Sequence, residues 1–199
     1  ENASPPPPAE AVKAAREARV LNQKTGDKAG EAAALLTLAQ LHVGCNSPQD
    51  ALRSVKESRQ LAMQIKDPAM RITAELHALQ AEAHVYLAQC SLEPAERVAS
   101  EARDLSEKRG SQKERAHSWN MLAQVHLARI GMDRDEGRTP SPDETKGACE
   151  AAESALEIAK ALDDKQLQAE TLQLLAGARF AMQEGERSLE LARESAGLF

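Results

Sequence analysis

Along the chain a small residue returns at positions i, i+4 and i+7, followed by an apolar one at i+10. The set occurs as Ala11, Ala15, Ala18 and Leu21, then as Ala51, Val55, Ser58 and Leu61, and as Ala95, Ala99, Ala102 and Leu105. It returns as Ala148, Ala152, Ala155 and Ile158 and again as Ser188, Ala192, Ser195 and Leu198. This spacing places all four side chains on one face of an α-helix. Small residues on that face let a second helix approach closely. A different pattern lies between these segments. His42, His84 and His126 sit 42 residues apart within LAQLHV, QAEAHV and LAQVHL. Each is preceded by an alanine at three residues (Ala39, Ala81, Ala123) and at ten (Ala32, Ala74, Ala116). A fourth copy, LLAGARF, follows 53 residues on, with Ala169, Ala176 and Arg179 at the matching places.

Gly, Pro and Asp punctuate the chain between the patterned stretches, at KTGDK (24–28), KDPA (66–69), KRGSQK (108–113) and LDDK (162–165). Such residues stop or cap helices. The pattern therefore predicts an orphan helix over about 9–23 followed by four helix pairs. The first helices fall at about 28–44, 69–89, 112–130 and 165–183, the second at about 48–65, 93–108, 144–161 and 185–197. Each pair can bury its apolar stripe only against its neighbours, which gives a one-dimensional stack of antiparallel pairs. The expected organisation is a Pro-rich extended leader at 1–8, whose four prolines cannot be helical, and one helical-repeat domain at 9–199. Its repeats run over about 24–66, 67–110, 111–163 and 164–199. The linker GMDRDEGRTPSPDETKG (131–147) reads as a long loop inside the third repeat. Loops of that length are usually functional or disordered, and Thr139-Pro140 and Ser141-Pro142 read as candidate proline-directed phosphorylation sites beside the plainer reading of a tolerated insertion.

In the third repeat Trp119, Leu122, Ala123 and His126 have the spacing W-x2-L-A-x2-H, followed by Ala148 and Ala152 in the second helix. The first repeat gives Leu35, Leu38, Ala39 and His42, then Ala51 and Val55; the second gives His77, Gln80, Ala81 and His84; the fourth Leu172, Leu175, Ala176 and Arg179. This resembles the tetratricopeptide repeat (TPR) family, with its W-x2-L-G-x2-Y and A-x3-F signature. The period departs from the family's 34 residues and is similar to long-repeat variants such as those of Pins-type scaffolds. The family's proline near the end of the second helix is missing, apart from Pro68. The resemblance implies an all-α, right-handed α-solenoid, with four pairs plus the N-terminal helix. It also implies that Trp119, Ala39, Ala81, Ala123, Ala176 and the histidines His42, His84 and His126 are packing residues between helices.

In this family the first helices line a concave groove. Carried over, the groove positions are Ala33, Leu36, Gln40, Val43 and Gly44 in the first repeat and Glu75, Ala78, Glu82, Val85 and Tyr86 in the second. The third supplies His117, Asn120, Gln124, Leu127 and Ala128, and the fourth Glu170, Gln173, Gly177, Phe180 and Ala181. None of these is Lys or Arg, so the basic clamp by which the family grips acidic tails is not expected. A neutral, amphipathic or mildly basic segment fits better, with Asn120 and Gln124 placed to bond its backbone.

Composition narrows the function classes further. Aromatics are 2% of 199 residues against 42% hydrophobic, a balance that suits closely packed helices rather than sheets. A net charge of −6 disfavours nucleic-acid binding, which needs a concentrated basic surface, and no apolar run of about 18 residues is present to span a bilayer. Cys45, Cys90 and Cys149 are odd in number and far apart, which is neither a disulfide framework nor a zinc motif. They point to the cytoplasm or another reducing compartment. Because the chain starts at Glu1, an organelle reached by a since-removed transit peptide fits as well. Histidines a whole repeat apart cannot share one metal, and no GxSxG or phosphate-binding loop occurs. No cofactor, small-molecule substrate or catalysis is expected. The leading expectation is a protein-interaction scaffold that binds a partner segment in its groove; the alternative is a permanently bound subunit of a larger complex that uses convex faces and the leader.

Overall fold

The structure, a computed structural model, describes residues 9–198; the expected leader at 1–8 lies outside them. Among the described residues there are nine α-helices and no strand. They are α1 (Ala9–Thr25), α2 (Lys28–Gly44), α3 (Pro48–Ala62), α4 (Pro68–Ala88), α5 (Leu92–Arg109), α6 (Gln112–Asp135), α7 (Pro142–Ala161), α8 (Lys165–Ala181) and α9 (Gly185–Ala196). The all-α class and the pattern of paired helices after one N-terminal helix are as the sequence predicts. The chain divides into two compact units, with the division falling within α5 between Val98 and Ala99.

Local chemistry sets the ends of the helices. Asp27, Asp67 and Asp164 each accept the backbone N–H three residues on, from Gly30, Met70 and Leu167, at 2.9, 2.8 and 3.1 Å. This satisfies donors that the first helical turn leaves orphaned. Ser111 and Glu114 close a reciprocal capping box at α6. Six of the eight turns between these helices contain a left-handed residue. Gly26 and Gly137 have φ of 74° and 72°, and Asn46, Cys90, Asp163 and Gln183 take 54°, 53°, 50° and 64°. Each is followed by an N–H that reaches back to a helix carbonyl, as Ser47 does to His42 at 2.9 Å and Ser91 to Tyr86 at 2.9 Å, the Schellman arrangement.

The stretch expected to be a long loop is mostly helical. Residues 131–135 continue α6 and 142–147 open α7, so only 136–141 connect them. Gly131 is accommodated inside α6, at a cost near 1 kcal/mol by helix propensity. The chain turns instead at Gly137, where the Arg138 N–H bonds the Asp133 carbonyl at 2.7 Å. Ser141-Pro142 is a helix start: the Ser141 hydroxyl accepts the Asp143 N–H at 3.2 Å and Pro142 fills the first turn.

In the first unit, Ala39, Ala51, Val55, Ala78, Ala81 and Val85 form one buried cluster, and Ala15, Leu35 and Leu38 another. In the second, Ala116 and Ala159 pack with Leu167. On α3 and α9 the small-residue face also makes polar contact with the paired first helix. Ser58 Oγ donates to the Ala32 carbonyl at 3.1 Å, Ser195 Oγ to the Ala169 carbonyl at 3.0 Å, and Ser188 Oγ to the Ala176 carbonyl at 2.8 Å. Side chains this short place the two backbones close together.

Candidate functional site

The first unit holds an apolar cleft of about 310 Å³ between α2 and α4. Ala29, Ala32, Ala33 and Leu36 form one wall; Ala69, Met70, Thr73, Ala74 and His77 form the other. The cause is compositional. At the i, i+4 and i+7 steps on α2 stand Ala29, Ala33 and Leu36, against Ala69, Thr73 and His77 at i, i+4 and i+8 on α4, and the small side chains leave the space between the helix axes unfilled. No lining residue is charged, and Met70, more than half exposed, supplies a flexible, polarisable edge.

Of the residues expected to face a partner, Ala33 and Leu36 line this cleft. Gln40 is exposed one turn beyond it, and Val43 packs on the Ala39 cluster. Glu75 is half-buried on α4. Met70 and Thr73 carry no family offset, since the groove positions begin further along α4 at Glu75, and His77 falls on the repeat signature rather than in the groove, although the run AMRITAELH already carries the small and apolar spacing. Two expected binding residues are instead committed within the fold. Glu82 is only 8% exposed, pairs with Arg59 at 3.2 Å and accepts the Tyr86 hydroxyl at 3.5 Å. Burial pushes the Tyr86 phenol up, and the Glu82 charge adds to it. Asn120 is 5% exposed and donates to the Thr171 hydroxyl at 2.8 Å, which itself donates to the Leu167 carbonyl at 2.7 Å. It ties α6 to α8 and does not present its amide outward.

The remaining expected residues of the second unit lie on α6 and α8. His117, Gln124 and Leu127 are half-buried, while Glu170 and Gln173 are exposed. Gly177 faces Leu127, whose methyl carbons lie 3.6 Å from where a β-carbon would stand, an ordinary packing distance. Phe180, 61% exposed, lies beneath the Arg134 guanidinium at 5.5 Å, and Arg134 also donates to the Ala181 carbonyl at 3.2 Å. Of the three histidines, His42 and His126 are half-buried and His84 is exposed. The His126 ring lies 3.1 Å from where a β-carbon on Gly147 would project, so the glycine gives it space on α7. Ala39, Ala81, Ala123 and Ala176 are all buried. Among the described residues no group of three or more His, Cys, Asp or Glu is placed to hold a metal, and no helix is long and apolar enough to cross a membrane.

Trp119 is half-buried, with its edge in a polar cluster. Its indole N–H donates to Glu107 at 2.9 Å, Arg103 lies over the ring at 5.5 Å, and Arg115 pairs with Glu107 at 2.9 Å. Burial alone would raise the Glu107 carboxyl, but the hydrogen bonds from Arg115 and Trp119 and the charges of Arg115 and Arg103 outweigh it and hold the group below the usual carboxylate value. A depressed carboxyl stabilises the fold above its unfolded pKa, and that stabilisation is lost as pH falls through the folded value. Glu107→Gln is therefore expected to flatten the acid limb of stability against pH, read by Trp119 fluorescence. Curves that superimpose across the acid range would show that the cluster contributes nothing.

No family model and no curated protein matches the chain. Solved structures do. A putative kinesin light chain from Podosopora anserina with nearly identical TPR-like repeats aligns over 95% of this chain and 85% of its own, at a TM-score of 0.60 and 18% identity. A single-residue variant of that protein aligns over the same shares at 0.62 and 18%. BtubC (BKLC) from P. vanneervenii aligns over 95% and 89%, at 0.52 and 13%. This chain has a TPR-like helical-repeat fold. At these identities the likeness is one of fold, and in the TPR-like frame α2, α4, α6 and α8 are the first helices of their repeats, so the apolar cleft lies between the first helices of successive repeats.

Proposed function

We propose that the protein is a non-enzymatic interaction scaffold and that the cleft between α2 and α4 receives an apolar side chain from a partner segment. The observation that carries this reading is an uncharged recess built from small side chains and bordered by exposed Met70. Such a recess takes one aliphatic or aromatic anchor, and a buried anchor of this kind supplies most of the affinity in helix or peptide recognition. With no Lys or Arg in the lining, a neutral to mildly basic amphipathic segment suits the surface better than an acidic tail. Gln40, exposed one turn along α2, is placed to bond a segment that continues past the cleft, and Glu75 on α4 to attract a basic one.

Crosslinking mass spectrometry on the native complex tests this, with wild type compared against Ala33→Arg and Met70→Asp. Both positions are exposed, so each substitution is expected to leave folding stability within about 0.5 kcal/mol. Crosslinks from α2 and α4 to the partner should vanish in both variants. Crosslinks retained at wild-type level would place the interface elsewhere.

A further inference from the structure

The two walls of the α2–α4 cleft differ in chemistry. On α2 every lining side chain is apolar: Ala29, Ala32, Ala33 and Leu36. On α4 two polar side chains, Thr73 and His77, stand one helical turn apart. Thr73 is half-buried and His77 is exposed.

Thr73 also differs from the other helical threonines. The Thr37 hydroxyl donates to the Ala33 carbonyl at 3.2 Å and the Thr171 hydroxyl to the Leu167 carbonyl at 2.7 Å. Those of Thr25 and Thr145 likewise bond carbonyls three and four residues back. This is how a helix ordinarily satisfies a threonine. Among the described residues Thr73 is the helical threonine that does not: its hydroxyl has no hydrogen bond within the fold, and neither has the His77 ring. Two groups that can each donate and accept therefore line an otherwise apolar recess with that capacity unused. A few polar groups on an apolar lining are what fix the identity and orientation of an occupant.

Given that the cleft is an anchor site, as read above, we infer that its anchor is a tyrosine of the partner segment, with the ring against the α2 alanines and the hydroxyl bonded by Thr73 and His77. An aliphatic or phenyl anchor would cover Thr73 and leave its hydroxyl without water or partner, the loss by which hydrogen-bonding sites reject apolar analogues. A charged tip would meet no counter-ion, since no lining residue is charged. Serine, threonine and asparagine lack the apolar body that the α2 wall requires. The indole N–H of tryptophan only donates, so it serves one of the two groups. Glutamine donates and accepts, but ordering its flexible stem costs more entropy than ordering a ring. A phenol combines a flat apolar body with one oxygen that donates to one group while accepting from the other.

Para-cresol and toluene, the side chains of tyrosine and phenylalanine as free molecules, are the probes. Each is titrated into the full chain carrying isotope-labelled alanine and methionine methyl groups, with the Ala33 and Met70 signals reporting on the cleft. Both probes should shift these signals saturably. Thr73→Val keeps the shape of the side chain and removes the hydroxyl. No hydrogen bond within the fold goes with it, so melting should not change. In this variant para-cresol should bind about twofold to tenfold more weakly, the worth of one hydrogen bond, while toluene binds at least as well as before. Comparing the ratio of the two dissociation constants between wild type and variant cancels the probes' unequal affinity for water. An unchanged ratio would overturn the tyrosine assignment and leave the anchor cleft standing. If neither probe moves the Ala33 and Met70 signals, the cleft admits no anchor and both readings fall.

Discussion

Leu35→Ala is expected to lower the opening free energy of residues 9–62 by about 2–5 kcal/mol, toward the upper end of that range for buried leucines. Leu35 is almost wholly buried and packs with Ala15 and Leu38, with Val12, Leu41 and Leu61 around them. The deleted methyl groups would leave a cavity that the neighbours refill poorly. Ala15 has no side chain to extend, and Val12 is held to few rotamers by its branch at Cβ. The polar links from α1 do not compensate: Arg19 reaches Glu57 at 2.8 Å and Glu31 at 3.9 Å, but it is more than a third exposed, and ion pairs so open to water contribute little. Hydrogen exchange is the right measurement, because a chain of two compact units does not promise one cooperative transition. Amides of α1 and α2 should lose protection together. A change below about 1 kcal/mol would mean that α1 is held by something other than this cluster.

How far the helices could be read from the residues depended on where two signals agreed. Helix α2 runs over Lys28–Gly44 as expected, because Asp27 caps it and the small-residue pattern stops beside Gly44. At α6 the signals diverged: Gly131 and a polar run suggested a break, yet nothing between Gly131 and Asp135 competes for the backbone, and the left-handed turn waited for Gly137. Ser141-Pro142 has the form of a cap followed by a first-turn proline as well as that of a phosphorylation motif, and the fold uses it as the cap. The turn residues Cys90 and Gln183 gave no warning, since neither is a usual left-handed residue. The candidate site was legible only in part. Family offsets locate a residue around the helix axis, and so found Ala33 and Leu36. They do not report how deeply the adjoining helix covers that position, which is why Glu82 and Asn120 proved to be internal hydrogen-bonding groups.

Ala51→Leu should be the second large effect, and it tests the small-residue ridge from the opposite direction. Ala51 is 0% exposed and sits among Ala39, Val55, Ala78, Ala81 and Val85, where α2, α3 and α4 converge. Three more carbon atoms there must displace a helix, because the surrounding alanines have no rotamers to yield. Overpacking of this kind costs about 1–3 kcal/mol and occasionally more, even though leucine is nearly as good a helix former as alanine. Any loss is therefore steric. Val55→Ala in the same background separates the causes, since it removes volume beside the insertion. If close helix approach is what Ala51 permits, the double variant should recover part of the loss and be more stable than the two single effects predict, a coupling of about 0.5–3 kcal/mol for residues in contact. Strictly additive losses in urea or thermal unfolding would show that the helices have room to part at Ala51, and the ridge of small side chains would not be what sets their spacing.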